Sequence, residues 1–291
     1  MKLYYSQDYA SSGDPFDTTQ KARHVCASLN KDPVADLELA SPEPVTVEQL
    51  SQIHELGYID AIRTGSPLVL AESHGLEWDA GLWKAVCAST GGMIAAALQA
   101  ITDGVSGTLS SGLHHARSGA GAGFCTFNGL ALAAMMAHRK TGGRVLILDL
   151  DAHCGGGTIE IIGRMPWAHC LDVSVNAFDA YRPSGEHTLD LVSDPAAYLK
   201  TVERRLAGAG EDYALCLYNA GMDPYERCHI GGLRGITQDV LRAREHAVFA
   251  WCRAAGIPVA FTLAGGYSGP TVSMADLVSL HRLTIDAATR H

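Results

Sequence analysis

Short runs rich in Val, Ile and Leu alternate along this chain with longer segments whose apolar residues recur at helical spacing. Strands buried on both faces read as continuous apolar runs, and the helices covering them read as one-sided stripes, so the alternation is that of β-α units around a mainly parallel sheet. The apolar runs predict strands over residues 2–5, 107–111, 145–149, 171–175, 213–218 and 259–263. The amphipathic stretches predict helices over 18–29, 47–64, 83–101, 130–140, 194–206, 237–255 and 271–288. The fold class expected is α/β, with helices on both sides of a central sheet.

Composition narrows the picture. At 291 residues and 47% hydrophobic, the chain can bury a large core without cross-links, and no Pro/Ser-rich or charge-dense stretch marks a linker. One domain over 1–291 is expected. Its 8 cysteines include no C-x-x-C pair, which fits reduced core thiols in a cytoplasmic protein. The N-terminus lacks an apolar signal core, and no segment is expected to reach the ~18 uninterrupted apolar residues of a membrane span. A net charge of −9 argues against a duplex nucleic-acid partner, which requires a basic face.

Three apolar runs end in residues able to bind a metal or do chemistry: Leu148-Asp-Leu-Asp-Ala-His153, Asn219-Ala-Gly-Met-Asp223 and Ala264-Gly-Gly-Tyr267, with a His114-His115 pair upstream. In open parallel sheets ligands bind outside the carboxyl ends of the strands, so these distant pieces converge on one cleft. Asp151 and His153 are two apart, and in an extended strand end both project to one side, where they can grip one ion. Asp223 closes a similar strand and offers a third ligand. Three ligands with one position left open are the design of a catalytic zinc site. Gly119-Ala-Gly-Ala-Gly123 could suggest a phosphate loop, but no G-x-x-x-x-G-K-[ST] occurs and the segment does not join a strand to a helix.

These pieces resemble the histone deacetylase family in the broad sense, including deacetylase-like amidohydrolases and acetylpolyamine amidohydrolases. The matching segments are Gly112-Leu-His-His115, Gly123-Phe-Cys-Thr-Phe-Asn128, the strand 144–153 ending in Asp151-Ala-His153, Asn219-Ala-Gly-Met-Asp223 and Gly265-Gly-Tyr267, with Ile53-His-x-x-x-Tyr58 flanking them. The resemblance implies an arginase-like three-layer fold and a zinc held by Asp151, His153 and Asp223. It implies that His114 and His115 manage protons, with Asp149 orienting His114, that Tyr267 hydrogen-bonds the scissile carbonyl, and that Gly123 and Phe124 line the acyl tunnel. A potassium ion near Asp149, Asp151, His153, Ser174 and Val175 is also implied. The reaction expected is hydrolysis of a linear C–N amide in a lysine-like or small-molecule N-acyl amine. Zinc would polarise the carbonyl and activate water, a histidine would carry protons, and Tyr267 would stabilise the oxyanion.

Two departures from the family pattern bear on the site. The zinc strand usually continues His-His-Gly-Asp, or with Asn last; here it reads His153-Cys-Gly-Gly156, so Gly156 stands where a partner for the second histidine belongs. His115 is then expected to rely on water or another side chain, with proton transfer weighted toward His114. In Phe178-Asp-Ala-Tyr-Arg-Pro-Ser-Gly185, either Arg182 or Tyr181 takes the place of a tunnel phenylalanine, or Phe178 keeps it. Two alternatives stand beside the deacetylase reading. A binuclear manganese ureohydrolase would need further carboxylates where Gly155 and Gly221 lie, and a catalytically weak metal-binding scaffold would have little use for the proton-transfer groups.

Overall fold

The computed structural model describes residues 1–290. Eight strands, β1 (Lys2–Tyr4), β2 (Glu38–Ala40), β3 (Val105–Thr108), β4 (Val145–Asp149), β5 (Ala168–Ser174), β6 (Thr188–Leu191), β7 (Leu215–Asn219) and β8 (Val259–Thr262), form one sheet in the order β2-β1-β3-β8-β7-β4-β5-β6. All of its pairings are parallel. Ten helices accompany them: α1 (Asp17–Lys31), α2 (Val47–Leu50), α3 (Leu56–Thr64), α4 (Leu68–Ala71), α5 (Leu82–Asp103), α6 (Gly129–Thr141), α7 (Gly156–Ile162), α8 (Pro195–Gly208), α9 (Gln238–Ala255) and α10 (Met274–Thr289).

Side-chain alternation along the central strands builds two separate cores. Leu146, Leu148, Cys216 and Tyr218 pack on one face with α1, α8, α9 and α10, while Val145, Ile147, Leu215 and Leu217 pack on the other with α3, α5 and α6. The result is a three-layer α/β/α fold. Helix α5 lies across the second face against α6, β3 and β8. By length and mean composition it could cross a membrane, but Lys84, Ser89, Thr90 and Gln99 interrupt its apolar run and 61% of its most apolar window is buried in the fold. Its apolar character all round serves a core position.

The six predicted strands and most predicted helices form, and the differences are local. The amphipathic stretch 47–64 splits into α2 and α3. A Thr46–Gln49 capping box starts the first, and the Glu55 N–H donates to Ser118 O at 2.8 Å, which turns the chain before the second. Strands β2 and β6, at the sheet edges, carry too few apolar residues to register as runs. Helix α10 begins at Met274 because Ser273 caps it with Asp276 in a second capping box.

Register fixes the functional edge. Asp149 pairs with Asp172 on one side and Asn219 on the other, and Asn219 pairs with Thr262. The loops that follow β3, β4, β5, β7 and β8 therefore leave the sheet side by side.

Candidate active site

Asp151, His153 and Asp223 meet with ligand atoms all within 4.8 Å of one another, and all three are buried. Asp151 Oδ2 accepts the Gly265 N–H at 2.7 Å and Oδ1 accepts the His153 N–H at 3.0 Å, while Asp223 Oδ1 accepts the Ala152 N–H at 3.0 Å. Asp223 Oδ2 lies 3.1 Å from His153 Nδ1 but outside hydrogen-bonding geometry, and it has no other partner. Such an orphaned buried carboxylate oxygen is costly unless a cation meets it. Burial and the facing Asp151 push the Asp223 carboxyl up to about 6. His153, which burial alone would hold down, is raised to about 10 by Asp151 and Asp223. The donor set, two carboxylates and one imidazole, suits a borderline-soft divalent ion. Gly265 makes the cluster possible: a Cβ there would lie 2.3 Å from Asp223 Oδ2 and 2.4 Å from Asp151 Oδ2.

His114 and His115 stand beside the triad with ring centroids 3.8 Å apart. His114 Nδ1 faces Asp149 Oδ2 at 2.8 Å, and Asp149 Oδ1 accepts from Asn219 Nδ2 at 2.9 Å, so the β4–β7 pairing itself holds the orienting acid. Burial lowers His114, but Asp149 and Asp151 outweigh it and hold it at about 9. His115 Nδ1 faces Asp179 Oδ2 at 2.9 Å. Burial and the neighbouring His114 push His115 down to about 4 against the pull of Asp179. Of the two expected substitutes for a partner at Gly156, water or another side chain, the structure has another side chain, Asp179 from the loop after β5. That removes the reason for weighting proton transfer toward His114.

The remaining segments that resemble the family, away from the triad, the histidine pair and Tyr267, are braces. His54 Nδ1 meets Arg117 O at 2.9 Å and its Nε2 accepts the Asn128 N–H at 3.0 Å, which fixes its tautomer. Asn128 Nδ2 donates to Ala116 O at 3.0 Å, and Tyr58 Oη donates to Thr126 O at 2.6 Å. Together they clamp the histidine pair to the Gly123–Asn128 turn.

Tyr267 is 6% exposed, and its phenol is driven well above its usual range by burial and by Asp223 and Asp151, so it stays protonated and able to donate. The loop carrying it is gripped by α1. The Ser268 N–H donates to Asp17 Oδ2 at 2.6 Å, and the fully buried Lys21 donates to Ala264 O and, at 3.4 Å, to Gly266 O. Burial lowers Lys21 to about 8 although Asp223 and Asp151 draw it up.

A cavity of about 360 Å³ opens above these groups, lined by His115, Gly123, Phe124, His153, Asn176, Phe178, Ile230 and Tyr267. Gly123 sits at φ 49°, and a Cβ there would come within 2.4 Å of the His115 ring. Among the residues proposed for the second wall, Phe178 takes the place: its ring stands edge-on to His115 at 5.0 Å. Arg182 is exposed and does not line the cavity, which corrects its reading as a substrate-binding residue, while Tyr181 turns away to donate to Thr188 O at 3.1 Å.

Beneath the triad, Ser174 Oγ donates to Asp172 Oδ1 at 2.5 Å, and the Val175 N–H donates to Ala152 O at 3.0 Å. Asp172 is buried beside Asp149, and burial and that neighbour hold its carboxyl well above the usual range. Asp172, Asp179 and Lys21 are the site residues that sequence reasoning missed. Asp172 carried a detectable signal, a charge inside an otherwise apolar run; Asp179 and Lys21 look like ordinary surface residues in their own segments.

Comparison with known proteins agrees with this geometry. Residues 15–282 match the family model of the histone deacetylase domain. An uncharacterized protein of Picosynechococcus sp. is 33% identical over 247 residues, covering 82% of this chain and 81% of its own. Histone deacetylase 2 of Arabidopsis thaliana is 27% identical over 292 residues, covering 92% and 74%. In structure, the HDA15 HD domain superposes with a TM-score of 0.82 at 19% identity over 100% of this chain and 91% of its own. An acetylpolyamine aminohydrolase from Burkholderia pseudomallei gives 0.79 at 20% identity over 99% and 98%. With a family match over most of its length, this chain belongs to the histone deacetylase family.

Proposed function

We propose that this chain is a zinc-dependent amidohydrolase, one catalytic domain over 1–291, that hydrolyses an N-acyl amide of a lysine-like or small-molecule amine to carboxylate and amine. The observation that carries the reading is the meeting of a three-ligand metal cluster, a histidine pair and a protonated tyrosine around one apolar-walled cavity. Asp151, His153 and Asp223 would hold the ion. When bound, zinc supplies an electrophile for the amide carbonyl and acidifies water toward neutrality.

The chain's own residues do the rest. Phe124 and Phe178 flank an extended apolar chain and present its carbonyl to the cavity floor. Tyr267 donates a hydrogen bond to the oxygen as charge grows on it. His115, neutral and donating its Nδ1–H to Asp179, has Nε2 free to take a proton and later return one to the departing amine, which must leave neutral. His114, its Nδ1 held by Asp149 at 2.8 Å, stands against the His115 ring as the second proton-handling group. Asp149, Ser174 and Val175 would seat a potassium ion, and the repulsion between Asp149 and Asp172, which Ser174, the Gly155 N–H and His114 only partly offset, supports a cation there. The eight unpaired, buried cysteines suit the reducing cytoplasm.

Protein purified without added metal is expected to contain one zinc per chain and to hydrolyse fluorogenic N-acyl amides. Elemental analysis with an acyl-length panel at fixed amine tests this, and millimolar hydroxamates should inhibit by chelating the open metal. Two manganese ions per chain would move the case to the ureohydrolase reading. Among the described residues a single cluster of potential ligands is present, with Gly155 and Gly221 at the positions a second metal would need, which favours one ion.

A further inference from the structure

We propose that Asp179 is the positioning residue for His115, and that Gly156 is a glycine because the Asp179 carboxylate occupies the space its side chain would need. This deepens the amidohydrolase reading and rests on it. A Cβ built on Gly156 falls 2.4 Å from both Asp179 O and Asp179 Oδ1, and 2.6 Å from its Cγ. The usual place for an acid, at the start of α7, is therefore filled by a carboxylate from a different strand's loop. The side chain is only 5% exposed, like the 4% of its histidine. Oδ2 accepts from both His115 Nδ1 at 2.9 Å and the Gly157 N–H at 3.1 Å, and Oδ1 receives the Arg117 guanidinium.

A buried carboxylate with donors on both oxygens, two of them on Oδ2, is held in orientation, and it imposes the Nδ1–H tautomer on the imidazole. Its backbone is held at φ 60°, a conformation that Asp tolerates better than most residues. The Cys154 N–H donating to Phe178 O at 3.0 Å anchors the same turn. Phe178, the preceding residue, is the cavity wall that stands edge-on to His115. One loop thus supplies both the tunnel wall and the histidine's partner, so whatever presses on Phe178 reaches the proton-transfer group directly.

The bland reading is that Asp179 exists to pair with Arg117, which is 38% exposed in its side chain and also binds Glu160 at 2.8 Å. The two readings separate in an Arg117→Met background, which removes that pair and leaves the histidine contact. Arg117→Met alone is expected to keep kcat within about threefold. Adding Asp179→Asn preserves an oxygen that can face His115 and the Gly157 N–H, and should stay within about fivefold of that background. Adding Asp179→Ala should lower kcat by roughly 10–100-fold with KM changed less than threefold, the range seen when a partner that orients a site histidine is removed. The Nδ1 protons of His114 and His115 both face carboxylates, so each is expected to give a downfield signal in the NMR spectrum. The one assigned to His115, by its loss in His115→Ala, should persist in the Asn variant and be lost in the Ala variant, while the signal of His114 on Asp149 stays. Gly156→Asp in the native background should collide with Asp179 and lose activity rather than gain it. Loss of kcat in Arg117→Met equal to that in the Ala variant, or an Ala variant with native kcat, would overturn the proposal, as would a downfield His115 proton that survives Asp179→Ala. Native protein that turns over no acyl amide would sink the amidohydrolase reading instead, and the imidazole proton would still report on the Asp179 contact.

Discussion

Tyr267→Phe is expected to lower kcat on the best acyl amide by roughly 10²–10³-fold while leaving metal content and KM nearly unchanged. The substitution removes one hydrogen-bond donor and keeps the ring, whose neighbours Phe16 at 5.4 Å and Phe124 at 6.1 Å need only its aromatic faces and edges. None of the ligands Asp151, His153 and Asp223 is touched. A donor aimed where charge develops is worth about 3–4 kcal/mol in a dry site, and the burial that drives the phenol's pKa up also keeps it a donor at every working pH. Steady-state kinetics paired with elemental analysis checks the split between kcat and metal. Unchanged kcat would remove Tyr267 from the chemistry and leave the oxyanion to the metal and the histidines.

The parts of this site legible in the sequence are those whose partners lie within one local motif. Asp151 and His153 share a strand end, His114 and His115 are adjacent, and the apolar runs before them are long enough to declare a parallel sheet. Register then does the rest without leaving a sequence signal: nothing in residues 145–149 or 215–219 alone says that Asn219 will donate to Asp149. Edge strands β2 and β6 escaped for a similar reason, since partly exposed segments of three and four residues carry little periodicity.

Gly156 shows the more instructive failure. Read along the chain, a missing acid looks like a lost function, because a motif assigns each role to one position. Read in space, the role is a volume and a set of donors beside His115, and two different segments can fill it. The excluded Cβ at Gly156 and the buried carboxylate of Asp179 are one feature seen from two sides. Lys21 makes the same point: a lysine on an amphipathic helix is usually solvated, yet here it is fully buried against two carbonyls of the tyrosine loop.

The largest stability effect is expected from Arg244→Met, at about 3–5 kcal/mol of lost unfolding free energy. Arg244 and Glu245 are both fully buried; the Arg244 Nε–H donates to Glu245 Oε1 at 2.7 Å, and its Nη1 donates to Leu150 O at 3.0 Å and Tyr198 Oη at 3.1 Å. Removing the guanidinium leaves Glu245 charged in the core with only the Tyr218 hydroxyl, at 2.8 Å, to meet it, since its Oε2 already lacks a partner. Removing both charges together avoids that penalty, so Arg244→Met with Glu245→Gln should recover much of the loss. Leu150 lies between Asp149 and Asp151, and the carbonyl freed by either variant loosens the turn that presents a metal ligand. The double variant should therefore regain unfolding free energy, measured as the urea midpoint multiplied by its slope, before it regains metal retention against a chelator. Equal recovery of both would show that the Leu150 tether is dispensable, and a single variant as stable as the native protein would show that the ion pair contributes nothing net to the fold.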